Sequence, residues 1–224
     1  MSGRPGAGTI DGMTSRRWLV PTGLILLSAV PVAAGAFRIS QLSVGATVTP
    51  DNARFFADPV PVVVHIVTVT VFCVAGAFQF VGRGPRRPRW HRVNGRVLVP
   101  AGLGAALSGL WLTVFYPRPD DVGDLVTAFR LVFGTAMAAA IVLGLIAVRR
   151  RDFARHRAWM IRGYAIGLGA GTQAFTHAVW IAAVGPVDRT GKAIAMLAGW
   201  LINLAVAEYV VRRPMFVFRK VAMR

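Results

Sequence analysis

The chain has 224 residues, of which 55% are hydrophobic and 16% charged, whereas soluble domains are about a quarter charged. Its apolar residues form long blocks separated by short connectors, which leaves little chain for a soluble domain, and its net charge is +17. The single cysteine, Cys73, excludes a disulfide within the chain and any metal site built from several cysteines.

The apolar blocks, taken in chain order, predict an all-α polytopic transmembrane bundle of six helices with both termini in the cytoplasm. The N-terminal segment 1–17 and the basic tail 212–224 are cytoplasmic in this interpretation, and the six-helix domain covers 18–211. The predicted spans are 18–37, 60–81, 97–116, 125–148, 163–184 and 193–211.

The first of these spans has an alternative interpretation as a signal peptide, because small residues at 32–36 resemble a cleavage site. A retained first helix is favoured, since the apolar run is longer than most signal sequences and prolines are tolerated in membrane helices.

The placement of charge distinguishes a membrane from a nucleic acid as the partner. With six spans, 20 of the 26 Lys and Arg residues fall on one side, together with only three of the nine Asp and Glu residues. Such a bias in short loops marks the cytoplasmic face of the membrane. No nucleic-acid-binding motif accompanies the charge, so we expect membrane lipid, and no nucleic acid, as a partner.

Two basic connectors, 82–92 and 152–162, are predicted to lie on the cytoplasmic side. Each brings a His-Arg pair ahead of a further arginine, and we expect these side chains to bind lipid phosphates or cap helices. The residues concerned are His91, Arg92, Arg96, His156, Arg157 and Arg162.

The same segments resemble a known family. The sequences His-Arg-Val-Asn-Gly-Arg at 91–96 and His-Arg-Ala-Trp-Met-Ile-Arg-Gly-Tyr-Ala at 156–165, with Gly-Ala-Gly-Thr-Gln at 169–173, are similar to bacterial membrane proteins classed as domain of unknown function 2306. The resemblance spans roughly residues 60–184. It implies a bacterial polytopic membrane protein and brings no established reaction.

Two histidines inside the predicted spans are candidate cofactor ligands. His65 and His177 both lie about 8 Å to the outer side of the membrane midplane, from the rise of 1.5 Å per residue. Equal depth on two helices suits a b-type haem held between two imidazoles, or a single metal ion. The alternative is a pair of buried histidines bonded to near neighbours such as Thr68 and Gln173.

Other polar side chains also lie within the predicted spans, where burial is costly and often marks function. Glu208 on the sixth span is expected to pair with Arg96 or Arg162, or otherwise to bind a proton; Asn203 lies deeper on that span. Arg130, near the outer end of the fourth span, has Asp124 and the turn at 120–121 as its expected partners.

Glycines recur every four residues on the fifth span, at Gly163, Gly167 and Gly171. Such small-residue stripes permit close helix approach, so we expect helix packing here, either within the chain or in a homodimer.

These observations favour a non-enzymatic membrane protein whose arginine-rich cytoplasmic face binds anionic lipid or a partner. No phosphate-binding loop, zincin motif or Ser/His/Asp constellation is recognised. The second hypothesis is a haem-binding electron-transfer protein using His65 and His177. The third is a small proton-coupled transporter with Glu208 or the two histidines as its proton site.

Overall fold

The structure, a computed structural model, describes the backbone of residues 8–80 and 87–213 and the side chains of residues 18–80 and 89–213. Across these ranges the chain is helical apart from short connections and contains no strand, which confirms the all-α prediction. The predicted N-terminal segment, first basic connector and C-terminal tail fall partly outside them, at residues 1–7, 81–86 and 214–224.

The described ranges hold eight α-helices and one short 3-10 helix, Phe78–Phe80. The α-helices are α1 Gly8–Ser43, α2 Ala53–Ala57, α3 Pro59–Ala77, α4 Arg87–Phe115, α5 Asp124–Arg149, α6 Phe153–Gly167, α7 Gly169–Ala183 and α8 Arg189–Arg212.

Five of these helical segments are long and apolar enough to cross a membrane. They are Trp18–Ser43, Pro59–Phe80, Arg89–Phe115, Asp124–Arg149 and Arg189–Arg212. Local sequence explains several of their ends. Pro59 occupies the first turn of α3, where its missing N–H costs nothing, and the Asp188 carboxylate accepts a hydrogen bond from the Gly191 N–H at 2.7 Å at the start of α8.

The first basic connector is shorter than predicted. Helix α4 begins at Arg87, so His91 and Arg92 lie on this helix and not in a turn, and Arg96 follows them on the same helix. Arginine is a good helix former, and the Asn94 side chain anchors this part of α4 by donating to the Ala75 carbonyl at 2.9 Å.

The predicted fifth span is divided in two at Leu168, and the second connector is helical from Phe153 onward. Glycines flank the division at Gly167 and Gly169, where helix propensity is low. Side chains from other helices bond carbonyls next to the break: Asn203 donates to the Ala165 oxygen at 3.0 Å. Such compensation is what allows an interrupted helix inside a membrane.

Consecutive helices pack against each other, α3 with α4, α4 with α5, α5 with α6, and α7 with α8. Helix α1 packs on α3 and α7. We call the end of the bundle formed by the C-termini of α3, α5 and α8 the arginine-rich end. The opposite end, formed by α2, the α4–α5 turn and the start of α8, is called the loop end.

Candidate functional site

A cavity of about 800 Å³ opens at the loop end and extends into the bundle. Binding sites for small molecules are commonly of this size. Along α5 the lining runs from Thr127 to Met137, ten residues or about 15 Å, which is half of the hydrocarbon thickness of a bilayer.

Small side chains on the surrounding helices leave this space open. Helix α4 presents Ala105, Ala106 and Gly109 to the cavity, and α7 presents Ala170. Ala170 is exposed although it lies near the middle of the interrupted helix. No side chain longer than a methyl group fills the cavity from these four positions.

The outer rim of the cavity carries paired charges. The Arg118 guanidinium donates to the Asp124 carboxylate at 2.5 Å, and the Lys192 ammonium donates to Asp121. The hydrogen bond from Lys192 lowers the pKa of Asp121 below its ordinary value. Asp124 and Asp121, which the sequence placed near Arg130, therefore form their ion pairs with other cations.

Three further arginines, Arg38, Arg54 and Arg130, line the cavity. Arg38 and Arg54 both contact the Phe55 ring, with their guanidinium carbons 4.4 and 4.6 Å from its centroid. Arg38 also donates to the Gln41 side-chain oxygen at 2.7 Å. Among the described residues these arginines have no ion pair with any carboxylate.

Arg130 is the most isolated of these cations. It is half-buried on α5, six residues after the first residue of that helix, and no hydrogen bond or ion pair joins it to any described residue. The positive charge of Arg54 acts on it unfavourably, and only the charge of Asp121, itself bonded to Lys192, opposes that effect. The lining of the whole cavity contains five basic side chains and only two acidic ones, Asp51 and Asp121.

The deep part of the cavity is mainly apolar. The Phe133 and Trp200 rings stack with centroids 4.4 Å apart and planes 19° from parallel, and both residues are buried. Met137 and Met196 lie beside them in the lining. Methionine adapts its shape to irregular contacts, so this floor suits an apolar group.

Two polar residues also reach the deep part. The Gln173 side chain donates to the Met196 carbonyl at 3.2 Å. His65 Nδ1 lies 3.0 Å from the Ala105 carbonyl and 3.1 Å from the Ser108 hydroxyl, whose own proton goes to the Gly104 carbonyl. Because a carbonyl oxygen only accepts, Nδ1 of His65 is the protonated nitrogen, which leaves Nε2 as an acceptor.

The second predicted haem ligand occupies a different environment. His177 Nδ1 donates to the Gln173 carbonyl of its own helix at 2.7 Å, and His177 is not among the described residues that line the cavity. No group of three or more His, Cys, Asp or Glu within the described part of the chain is arranged to hold a metal ion. The haem hypothesis stays a prediction, which a Soret band after haem-replete expression would test.

The half-buried carboxylate of Glu208 at the arginine-rich end is paired. Arg162 donates two hydrogen bonds to the Glu208 carboxylate, of 2.5 and 3.1 Å, and Arg212 lies 3.5 Å from the same carboxylate. Arg157 donates to the Val210 carbonyl at 3.1 Å, and His156 bonds the Gly144 carbonyl at 2.8 Å. Of the two partners expected for Glu208, the structure places Arg162 there.

The glycine stripe makes contacts within the chain. A Cβ added to Gly163 would lie 3.4 Å from Ile141 of α5, and one added to Gly167 would lie 2.9 Å from Phe72 of α3. At Gly171 it would collide with the Leu27 backbone carbonyl of α1. The stripe thus allows three different helices to approach, and a homodimer through this face stays a prediction.

The cavity and its unpaired arginines are what the sequence analysis missed. The sequence analysis singled out Arg130 as an ionisable residue in a span, but it did not single out Arg38 or Arg54. The available signal was an excess of small residues on the third predicted span, which packing alone also explains.

Comparison with protein families gives one finding: the family described as predicted membrane protein (DUF2306) matches residues 62–211. Neither the curated proteins nor the solved structures give a match. The matched segment includes α4 to α7, most of α3 and α8, and thus nearly all of the cavity lining. The chain therefore belongs to the DUF2306 family of membrane proteins.

Proposed function

We propose that this membrane protein binds a ligand bearing an oxyanion, a phosphate or a carboxylate, in the cavity at its loop end. The observation that carries the proposal is Arg130, a half-buried guanidinium without an anionic or hydrogen-bonding partner among the described residues. A charge in such a position is costly unless a counter-ion reaches it.

Arginine suits this role because its planar fork donates two parallel hydrogen bonds to a carboxylate or phosphate. Arg38 and Arg54 both contact the Phe55 ring in the cavity lining and add positive potential, which attracts an anion from solution. The ligand then supplies the negative charge that the protein side chains lack at this point.

We also propose that the cavity faces away from the cytoplasm. In the proposed topology six spans cross the inner membrane of a bacterium, with α6 and α7 together forming the fifth. The support is the bias of arginines toward the opposite end, where they meet anionic lipid. An impermeant thiol reagent applied to intact cells should label Asp120→Cys and leave Arg150→Cys unlabelled; the reverse pattern would overturn this orientation.

Thermal unfolding of the purified protein in neutral nanodiscs tests the binding proposal. Phosphate should raise the midpoint relative to chloride at equal ionic strength, because a ligand at 100 times its Kd adds about 2.7 kcal/mol of stability. Arg130→Gln should lose this response. Arg189→Gln is the matched control, since Arg189 lies at the same end, is exposed and does not line the cavity.

Equal responses in wild type and Arg130→Gln would contradict the proposal, as would the absence of any response to phosphate. Loss of the response in both variants would show only a general effect of surface charge, and that result also counts against the site.

A further inference from the structure

The cavity combines two chemically different halves, and this division specifies the ligand further. Three arginines without carboxylate partners lie toward the mouth, and the stacked Phe133 and Trp200 rings lie in the floor. We propose that the ligand is a phosphate monoester of an apolar group, a phosphate head with a single chain or ring system. This inference rests on the proposed function and deepens it.

The charge of the mouth favours a phosphate head over a carboxylate. Five basic and two acidic side chains line the cavity, and Arg118 among the basic ones is paired with Asp124 outside the lining, so two positive charges remain in excess and a ligand with a single negative charge leaves one of them uncompensated. A phosphate monoester carries between one and two negative charges at neutral pH and has three terminal oxygens for guanidinium groups.

The floor favours an apolar body on that head. Phe133, Met137, Met196 and Trp200 all line it, and Trp200 lies two turns further along α8 than the rim residue Lys192. The Gln173 amide in this region already donates to the Met196 carbonyl. A hydrated inorganic anion would leave this apolar surface exposed to water, whereas a chain of several carbons would cover it and remove it from water.

The volume limits the size of the body. About 800 Å³ lies within the range of sites for small organic ligands, and the depth of about 15 Å along α5 allows the head and tail to be separated along the membrane normal. A phosphorylated chain can come from the aqueous phase or from a single-chain lipid in the outer leaflet, because both present the same head and the same first methylenes.

Titration calorimetry on nanodiscs of neutral lipid with inorganic phosphate, ethyl phosphate, butyl phosphate and hexyl phosphate tests this inference. Affinity should rise along the series by up to about fourfold per buried methylene, after subtraction of partitioning into protein-free nanodiscs. Arg130→Gln should weaken every member of the series.

A cavity-filling variant separates the tail from the head. Ala170→Leu places a larger side chain in the floor and should abolish the gain with chain length while retaining phosphate binding. Ala178→Leu is the matched control on the same helix: Ala178 is exposed and does not line the cavity, so the gain should persist.

The outcomes distinguish the two proposals. Arg130-dependent phosphate binding without any gain along the series overturns this inference and leaves the proposed function standing. No Arg130-dependent binding of any probe overturns both. A gain that persists unchanged in Ala170→Leu also overturns the inference, because the chain then lies elsewhere.

Competition by lysophosphatidic acid incorporated into the nanodiscs identifies the source. Displacement of hexyl phosphate at low mole fraction supports a membrane-derived ligand. Continued binding of hexyl phosphate supports a soluble ester.

Discussion

The helix packing around Phe72 and the lining of the cavity use small residues in opposite ways. A Cβ on Gly102, in the middle of α4, would lie 2.6 Å from Phe72 and 2.7 Å from Ile141, so large side chains already occupy the space that glycine leaves. Toward the loop end, Ala105, Ala106 and Ala170 face an open cavity. A small residue alone therefore does not determine whether helices pack closely or leave a cavity. The size and position of the facing side chain determine it.

The half-buried charged side chains also differ between the two ends of the bundle. The half-buried Glu208 is held by two arginines, whereas the half-buried Arg130 has no acidic partner among the described residues. Under the proposed function, an added anion supplies the missing negative charge at the loop end. This contrast is what the following substitutions are designed to break.

The largest effect is expected from Phe72→Ala. Phe72 is 1% exposed and packs against Tyr164 with ring centroids 5.6 Å apart, so its removal leaves a void among close-packed helices. We expect a loss of about 3 kcal/mol in the free energy of unfolding, measured by denaturant titration in mixed micelles.

The matched substitution at the loop end is Phe133→Ala, which borders a space that is already empty. It should cost about half as much as Phe72→Ala, since fewer contacts are lost. Equal losses for the two variants would show that the cavity is filled or collapsed in the protein, and the contrast between the two ends would then fail.

Much of the helical architecture follows from the sequence alone, for reasons that these residues illustrate. Helix α5 was predicted at 125–148 and runs from Asp124 to Arg149, because an apolar stretch of this length bounded by a glycine and an arginine triplet leaves little choice. The start of α4 was missed because arginines, which predict a loop next to a membrane span, are equally good helix formers.

The cavity depended on information that no local pattern contains. Arg130 has Asp124 and Asp121 nearby in sequence, and local reasoning assigns them as its partners. Lys192, which is 71 residues away in sequence, forms an ion pair with Asp121, and Arg118 forms one with Asp124. Which cation is left unpaired is therefore decided by how α8 docks beside the α4–α5 turn.

Removing one charged side chain at each end should change the stability by an intermediate amount. The two changes should differ in sign. Glu208→Gln leaves Arg162 without its carboxylate and should lower stability by about 1 kcal/mol. Arg130→Gln without ligand removes an unpaired cation and should leave the unfolding midpoint unchanged or raise it. A clear destabilisation by Arg130→Gln in ligand-free protein would mean that Arg130 has a structural partner, and would weaken the case for an anion site.

The smallest effect concerns the paired rim of the cavity. Lys192 lowers the pKa of Asp121 in the folded protein, so the carboxylate contributes stability above its unfolded pKa of about 4, and this contribution is lost as the pH falls through the lower folded value. The Asp121 side chain is 68% exposed, so solvent screening limits the contribution to less than about 0.5 kcal/mol.

Asp121→Asn should therefore show a slightly smaller drop in unfolding midpoint than wild type between neutral pH and about pH 3. Asp120→Asn, one residue away and also exposed, serves as the control, and an equal change in both variants would show that the pairing with Lys192 adds nothing to the stability of the rim.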